Sequence, residues 1–357
     1  MKYVSIWPLD FDVGSQDINQ DSTFRKLQIT GGSTVIVSLP KSWVEQHNLK
    51  KGDVVNLHEM QSGDLKISPI SQNSLKSTVS IDSTMVGSEI MDLLIGTYLT
   101  GCDSIRIYSK DPISRTVKKT VREFLRDSRG MEIETESDKE IIIVSLLNPS
   151  ELKLQVSVNR MYILIASLVK DSFDVLSGED VELLSDIEER ERQIDARRML
   201  IERQVASSMY SSSVEKQLGV SRYSAMEHAN IARILERMGD HATRLATLVR
   251  HNASIVKMKT SEYPLKAIEP WSQDLKKLIH NMYTKDTTII HQCKINLSTL
   301  RKEVETAEDE HYNGRGSAER LFAEFKISES IRRLCAYSVN YAEALINILM
   351  YEQMQYQ

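Results

Sequence analysis

From residue 150 to residue 357 the apolar residues recur at i, i+3, i+4 and i+7, with no strand alternation. A segment of that length and period can bury its apolar stripes only by packing helix on helix. Three stretches each read as one long helix: SELKLQVSVNRMYILIASLVKDSFDVL, ELLSDIEERERQIDARRMLIERQVASSM and SVEKQLGVSRYSAMEHANIARILERMGDHATRLATLVRH. The cycle repeats from about residue 260, with helices near 263–290, 291–312 and 317–355. Pro264 and the polar stretch NASIVKMKTSEY mark the boundary, so the reading is two three-helix bundles, 151–256 and 257–357. Only 14 Gly and 7 Pro interrupt the whole chain, in keeping with a large helical content.

The first 150 residues read differently. Residues 1–21 carry Asp10, Asp12, Asp17 and Asp21 without a clear period and read as a flexible acidic tail. Residues 22–72 hold short apolar stretches separated by Gly31-Gly32 and Lys51-Gly52-Asp53, the pattern of short strands around one short helix after Pro40. Residues 73–150 alternate strand and helix in the order βαβαββ, a small α/β domain, with helices ending at Gly101 and Gly130. The fold class expected is therefore multidomain α+β.

Net charge is −5, so the chain as a whole is not a basic nucleic-acid coat, and any DNA contact must come from a local patch. Cys102, Cys293 and Cys335 lie far apart and form no CxxC pair or disulfide framework. The N-terminus has no apolar run of signal-peptide length, and nowhere do 18 apolar residues run uninterrupted. The expectation is a cytoplasmic protein without membrane insertion.

A segment of 50 residues made of short strands buries little apolar surface alone and usually needs a partner. Arg25-Lys26, Thr30-Gly31-Gly32-Ser33-Thr34, Ser38-Leu39-Pro40-Lys41, Trp43 and Lys51-Gly52-Asp53 together resemble the AbrB/SpoVT family in its archaeal form. The resemblance implies a swapped-hairpin β-barrel in which two chains interleave, a homodimer docking on DNA. The residues agree: amides of a Gly-Gly turn, with Ser33 and Thr34, can face phosphate oxygens, and Lys41 sits beside a helix N-terminus. The candidate DNA-binding residues are Arg25, Lys26, Thr30, Gly31, Gly32, Ser33, Thr34 and Lys41. Six cations (Arg25, Lys26, Lys41, Lys50, Lys51, Lys66) face four acids (Glu45, Asp53, Glu59, Asp64) over 22–72, a surplus of two. The competing reading is a solvated basic face on a module that only dimerises. Trp43 reads as core rather than as a base-stacking residue.

In the helical part, Glu191 and Asp195 stand four apart, as do Glu236 and Asp240. On a helix each pair shares one face, where like charges repel unless a cation lies between them. Two such faces turned together make an oxygen-rich cage for hard or borderline metals. Glu236-Arg237-Met238-Gly239-Asp240-His241-Ala242, followed by Leu245-Ala246, resembles the PhoU signature, and IEERERQIDARRMLIERQV resembles that family's earlier acidic helix at Glu191, Asp195, Arg203 and Gln204. Lys170-Asp171 matches the acid on the family's first helix. The resemblance implies tandem three-helix bundles holding a divalent or trivalent metal, iron, zinc or magnesium, on Asp171, Glu191, Asp195, Glu236 and Asp240, with phosphate received there. Gly239 permits either close helix approach or metal access. His241, about 100° round the helix from Asp240, reads as a surface or outer residue. The second repeat departs from the pattern: Ala336 and Asn340 stand where acids are expected and Glu343 remains, while Asp286, Glu305 and Asp309 have no clear register with the family.

The joint resemblance points to a phosphate-responsive transcriptional regulator of phosphate uptake. The alternative is an adaptor that contacts phosphate transporter components or a sensor kinase without binding DNA. An enzyme is disfavoured, because no nucleophile with a base partner, no Gly-rich phosphate loop and no HExxH occurs.

Overall fold

The computed structural model describes residues 24–59, 63–69, 77–83, 89–146, 152–312 and 316–355. The acidic tail expected over 1–21 lies outside the described residues. The chain divides into two compact units, Met1–Leu75 and Lys76–Gln357.

In the first unit β1 (Gln28–Thr30) pairs antiparallel with β2 (Thr34–Ile36), and β3 (Val55–Glu59) with β4 (Leu65–Pro69). Between the hairpins lies α1 (Lys41–Gln46), with Pro40 at its N-cap. Within one chain these are two separate two-stranded sheets. No described residue of this unit is buried, and Phe24, Leu27, Ile29, Val35, Leu57 and Leu65 are all exposed. Trp43 is half-buried with its ring beside His47, so it covers the helix rather than filling a core.

The second unit begins with β5 (Thr78–Asp82), α2 (Ile90–Leu99), β6 (Ser104–Tyr108), α3 (Arg115–Asp127), β7 (Met131–Glu136) and β8 (Glu140–Ser145). The sheet order is β5-β6-β8-β7. The α2 crossover makes β5 and β6 parallel, and β8 pairs antiparallel with both β6 and β7. Val117, Val121 and Phe124 form the buried stripe of α3 at i, i+4 and i+7, set on Ile105, Ile107, Ile141 and Ile143 of the sheet. Ser114 caps α3 by accepting from the Val117 amide.

The helical body comprises α4 (Leu154–Leu176), α5 (Ile187–Tyr210), α6 (Ser212–Leu218), α7 (Arg222–Asn252), α8 (Ile268–Thr284), α9 (Thr287–Tyr312) and α10 (Ala318–Gln355). The single helix expected over SVEKQ…LVRH is two: Gly219 takes a left-handed φ of 67° and ends α6, and Ser221 caps α7 through the Ser224 amide. The expected helices near 263–290 and 291–312 meet earlier, because Lys285 is left-handed and Asp286 caps α9 by accepting from the amides of Thr288 and Ile289. Helices α4, α5 and α7 pack together, as do α8, α9 and α10, and α7 lies along α10. One continuous apolar core runs through both bundles. Trp271 on α8 donates to Ser338 Oγ on α10, whose hydroxyl in turn lies 3.5 Å from Met238 Sδ on α7. Among the described residues no helix is long and apolar enough to cross a membrane.

Candidate functional site

The head residues lie together. Arg25 and Lys26 precede β1, and Thr30-Gly31-Gly32-Ser33-Thr34 is the β1–β2 turn, all of them exposed. Gly31 and Gly32 have φ of 62° and 91°, a backbone that only glycine adopts without strain. Arg25 and Lys26 have no ion-pair partner among the described residues, while Lys41 makes an exposed pair with Glu45 at 3.5 Å. An exposed pair of this kind contributes little and leaves Lys41 free to exchange partners.

In the body, α5 presents Glu191 and Asp195 toward α7, which presents Glu236 and Asp240. Glycine at 239 brings the helices close: a Cβ there would stand 3.0 Å from Ile194 Cγ2. Close helix approach is thus one role of Gly239. The four carboxyls repel each other. Asp195 is pushed up to about 6, first by burial and then by Glu236, with Asp240 and Glu191 adding to it. Burial and then Asp240 raise both Glu191 and Glu236, and desolvation raises Asp240.

Among the described residues none of the four makes a hydrogen bond or ion pair. Of the cations whose charge reaches them, Arg237 partly offsets the rise in Glu236 and Asp240, while Arg198 is paired elsewhere. Arg198 Nη1 lies 2.7 Å from Glu202, and that buried carboxylate also takes Arg233 at 2.6 Å. Asp171 does not join the four: its carboxylate pairs with Arg190 at 2.5 Å, and Arg190 also holds Asp186 at 2.8 Å. In donor chemistry the four acids are of the kind a hard or borderline cation takes, all oxygen and partly desolvated. Among the described residues no group of three or more His, Cys, Asp or Glu side chains is gathered closely enough to hold a metal ion. His241 turns away toward α10, where its ring stacks on Tyr337 at 5.7 Å. Burial and then Arg333 and Arg244 lower its pKa.

The second bundle uses its acids structurally. Asp274 is buried and accepts from Lys277 at 2.9 Å, Asn296 at 2.9 Å and the Cys293 thiol. Glu343 pairs with Lys294 at 2.9 Å. Ala336 and Asn340 bring no charge to the α10 face.

Sequence reasoning missed what the other side of α5 does. Arg203 is buried and donates to the carbonyls of Tyr98 at 2.8 Å and Cys102 at 2.6 Å, capping the C-terminal end of α2. Tyr210 OH donates to the Thr100 carbonyl, and Met199 enters the core of the α/β domain. Arg197 is held down at about 10 by burial, then by Arg129 and Arg160. The resemblance drew attention to Arg203 but not to its partners, 101 and 105 residues away.

Residues 158–249 match the family described as PhoU domain, and residues 28–75 match the one described as Antidote-toxin recognition MazE, bacterial antitoxin. The first range contains all five metal candidates; the second contains the glycine turn and Lys41 but begins after Arg25 and Lys26. No curated protein matches the chain. Among the solved structures similar to it are two PhoU proteins. PhoU from Pseudomonas aeruginosa is 17% identical, with TM-score 0.45 over 56% of this chain and 96% of that one. The phosphate transport system regulatory protein PhoU from Streptococcus pneumoniae is 15% identical, with TM-score 0.45 over 55% and 92%.

Proposed function

We propose that this chain, which carries a PhoU domain behind a MazE-type segment, is a cytoplasmic, phosphate-responsive regulator of transcription that controls phosphate uptake. The head grips DNA as a homodimer through Arg25, Lys26, the Thr30–Thr34 turn and Lys41. Glu191, Asp195, Glu236 and Asp240 hold a divalent or trivalent cation, and Asp171 orients Arg190 beside them. A cation there offsets the repulsion of the acids and attracts phosphate.

The observation that carries the reading is four partly buried carboxylates left unpaired on facing helices, while Glu202 and Asp171 on the same bundle both have cationic partners. Uncompensated buried acids destabilise a fold and persist where they serve binding. The chain's own part in the response is α5. Its acids face α7, and further along the same helix Arg203 holds α2, so a shift of α5 is felt in the α/β domain.

The test is footprinting on DNA upstream of phosphate-uptake genes, with and without phosphate, across a salt series. Binding that changes with phosphate and falls steeply with salt supports the reading. A protein that binds no DNA at low salt is instead an adaptor for a phosphate transporter or sensor kinase. Asp195→Asn with Asp240→Asn should abolish metal content in a folded protein; unchanged metal content refutes the site.

A further inference from the structure

We propose that the junction of the two bundles holds a binding site for a small neutral hydroxyl compound, with the His228 imidazole as its hydrogen-bond acceptor. His228 precedes Glu236 on α7 by about 12 Å of helix rise, so the site is separate from the four carboxylates. It depends neither on the metal reading nor on DNA binding.

Elements of both bundles enclose a cavity of about 120 Å³. The first bundle contributes Gln155 at the start of α4, and Ser224 and His228 near the start of α7. The second contributes Lys285, just after α8, and Glu352 near the end of α10. Lys285 Nζ lies 2.6 Å from Glu352, and this half-exposed pair stands on the solvent side of the cavity.

His228 is 3% exposed. Its Nδ1 lies 2.6 Å from the carbonyl oxygen of Ser224, one turn back on the same helix. A carbonyl only accepts, so Nδ1 carries the proton. Burial, ahead of any neighbouring charge, lowers the pKa of the ring and keeps it neutral at pH 7. Nε2 therefore presents a lone pair. Because Nδ1 is turned back onto α7, the ring edge that fronts the cavity is the one carrying Nε2, and this atom is buried with no donor. An unmet buried acceptor carries its full desolvation cost. Asn281 on the cavity wall cannot answer it. Its amide nitrogen donates to the Lys277 carbonyl at 2.9 Å, and its oxygen accepts from the Thr284 hydroxyl and the Asp286 amide. The Ser224 hydroxyl and the Gln155 amide make no hydrogen bond among the described residues.

The lining sets the class of the ligand. Lys285 and Glu352 cancel, so no net charge is left for an ion to answer. An anion would meet the Nε2 lone pair and the Glu352 carboxylate, and an ammonium would meet Lys285. A neutral O–H donates to Nε2, and a second hydroxyl matches Ser224 and Gln155, which can donate or accept. Met282, Leu345 and Ile348 offer an apolar wall to a short carbon skeleton. The space is that of about four waters at roughly 30 Å³ each, so a diol of about five non-hydrogen atoms fits. Bound there, it would tie α7 to α4 and α10.

The experiment titrates the full chain, its histidines labelled with nitrogen-15, with 1,2-propanediol. Lactate and 1-amino-2-propanol serve as an anion and a cation on the same skeleton. The expected result is saturable binding of the diol, no tighter than about micromolar for so few atoms, and about tenfold weaker binding of both ions. The Nε2 signal of the one ring with a protonated Nδ1 and a bare Nε2 should move with the diol, while its Nδ1 stays protonated. His228→Leu should weaken the diol about tenfold, and Ile348→Phe, which fills the cavity, should abolish binding. If either variant fails to fold, the Nε2 signal of the wild type decides. The site is overturned by a wild type that shows no saturable binding, or by an Nε2 signal that stays still. Lactate binding as tightly as the diol, or undiminished binding in His228→Leu, overturns it equally.

Discussion

Gly239 on α7 lies directly against Ile194 on α5, where an added Cβ would meet Cγ2 at 3.0 Å and Cδ1 at 3.2 Å. The contact falls beside Asp195 and one turn from Glu191 and Glu236, so it sets the separation of the acid pairs. Gly239→Ala gains about 1 kcal/mol in helix propensity. Against that, the β-branched Ile194 cannot swing aside, and such overpacking costs about 1–3 kcal/mol. The expected outcome is a net loss of about 1 kcal/mol in the unfolding free energy from urea titration, together with weaker metal binding. A variant more stable than the wild type would show that the close contact does not constrain the helices.

The acid cluster fixes the sign of a pH dependence. Asp195 is raised from 3.8 to about 6, chiefly by burial and then by Glu236, so its neutral form is favoured in the folded state. Its stabilising contribution is fully present below the ordinary carboxylate range and is lost as pH rises through about 6. In chelated buffer, Asp195→Asn should gain on the wild type as pH rises, by about 2–3 kcal/mol at neutrality. Denaturant unfolding of both proteins across pH measures the difference. A difference that stays flat, or shrinks with rising pH, would contradict mutual repulsion at the site.

Arg203 clamps the α/β domain to the helical body. It is 3% exposed, its guanidinium lies 4.8 Å over the Tyr98 ring, and it satisfies the carbonyls of Tyr98 in the last turn of α2 and of Cys102 just beyond it. Arg203→Ala should cost about 3 kcal/mol, since the carbonyls lose their donor and water does not reach them freely. Hydrogen exchange should quicken across α2 and β6 first. Unchanged protection there would place the attachment elsewhere.

The head is expected to pair with a second copy of this chain. Phe24 is 93% exposed, Ile29 74% and Leu27 71%, and no described residue of that unit is buried. Exposure of so many apolar side chains on a small unit marks an interface. Sedimentation should find a dimer whose melting depends on concentration, and Ile29→Lys should weaken it by about 2 kcal/mol or more. A monodisperse monomer with a folded head would defeat this expectation.

Periodicity alone located the helical body, and turn residues located the strands of the α/β domain, because both depend on neighbours a few residues apart. Boundaries set by a single backbone conformation were less visible. Left-handed Gly219 and Lys285 split or shortened helices whose apolar period runs on. The i, i+4 acid pairs were legible as pairs on α5 and α7. That Asp171 belongs to Arg190 was not, since the distance from residue 171 to residue 190 follows from how α4 lies against α5.

The sequence by itself determined the classes of element, their order and the acidic stripes, because helix and strand periods are local properties of side-chain spacing. Only the tertiary structure decided which charges meet. It left Glu191, Asp195, Glu236 and Asp240 without an ion pair or hydrogen bond among the described residues, and it gave Asp171 to Arg190. Charge pairing depends on distances across helices, and these are fixed by core packing at contacts such as Gly239 on Ile194, which no local pattern encodes.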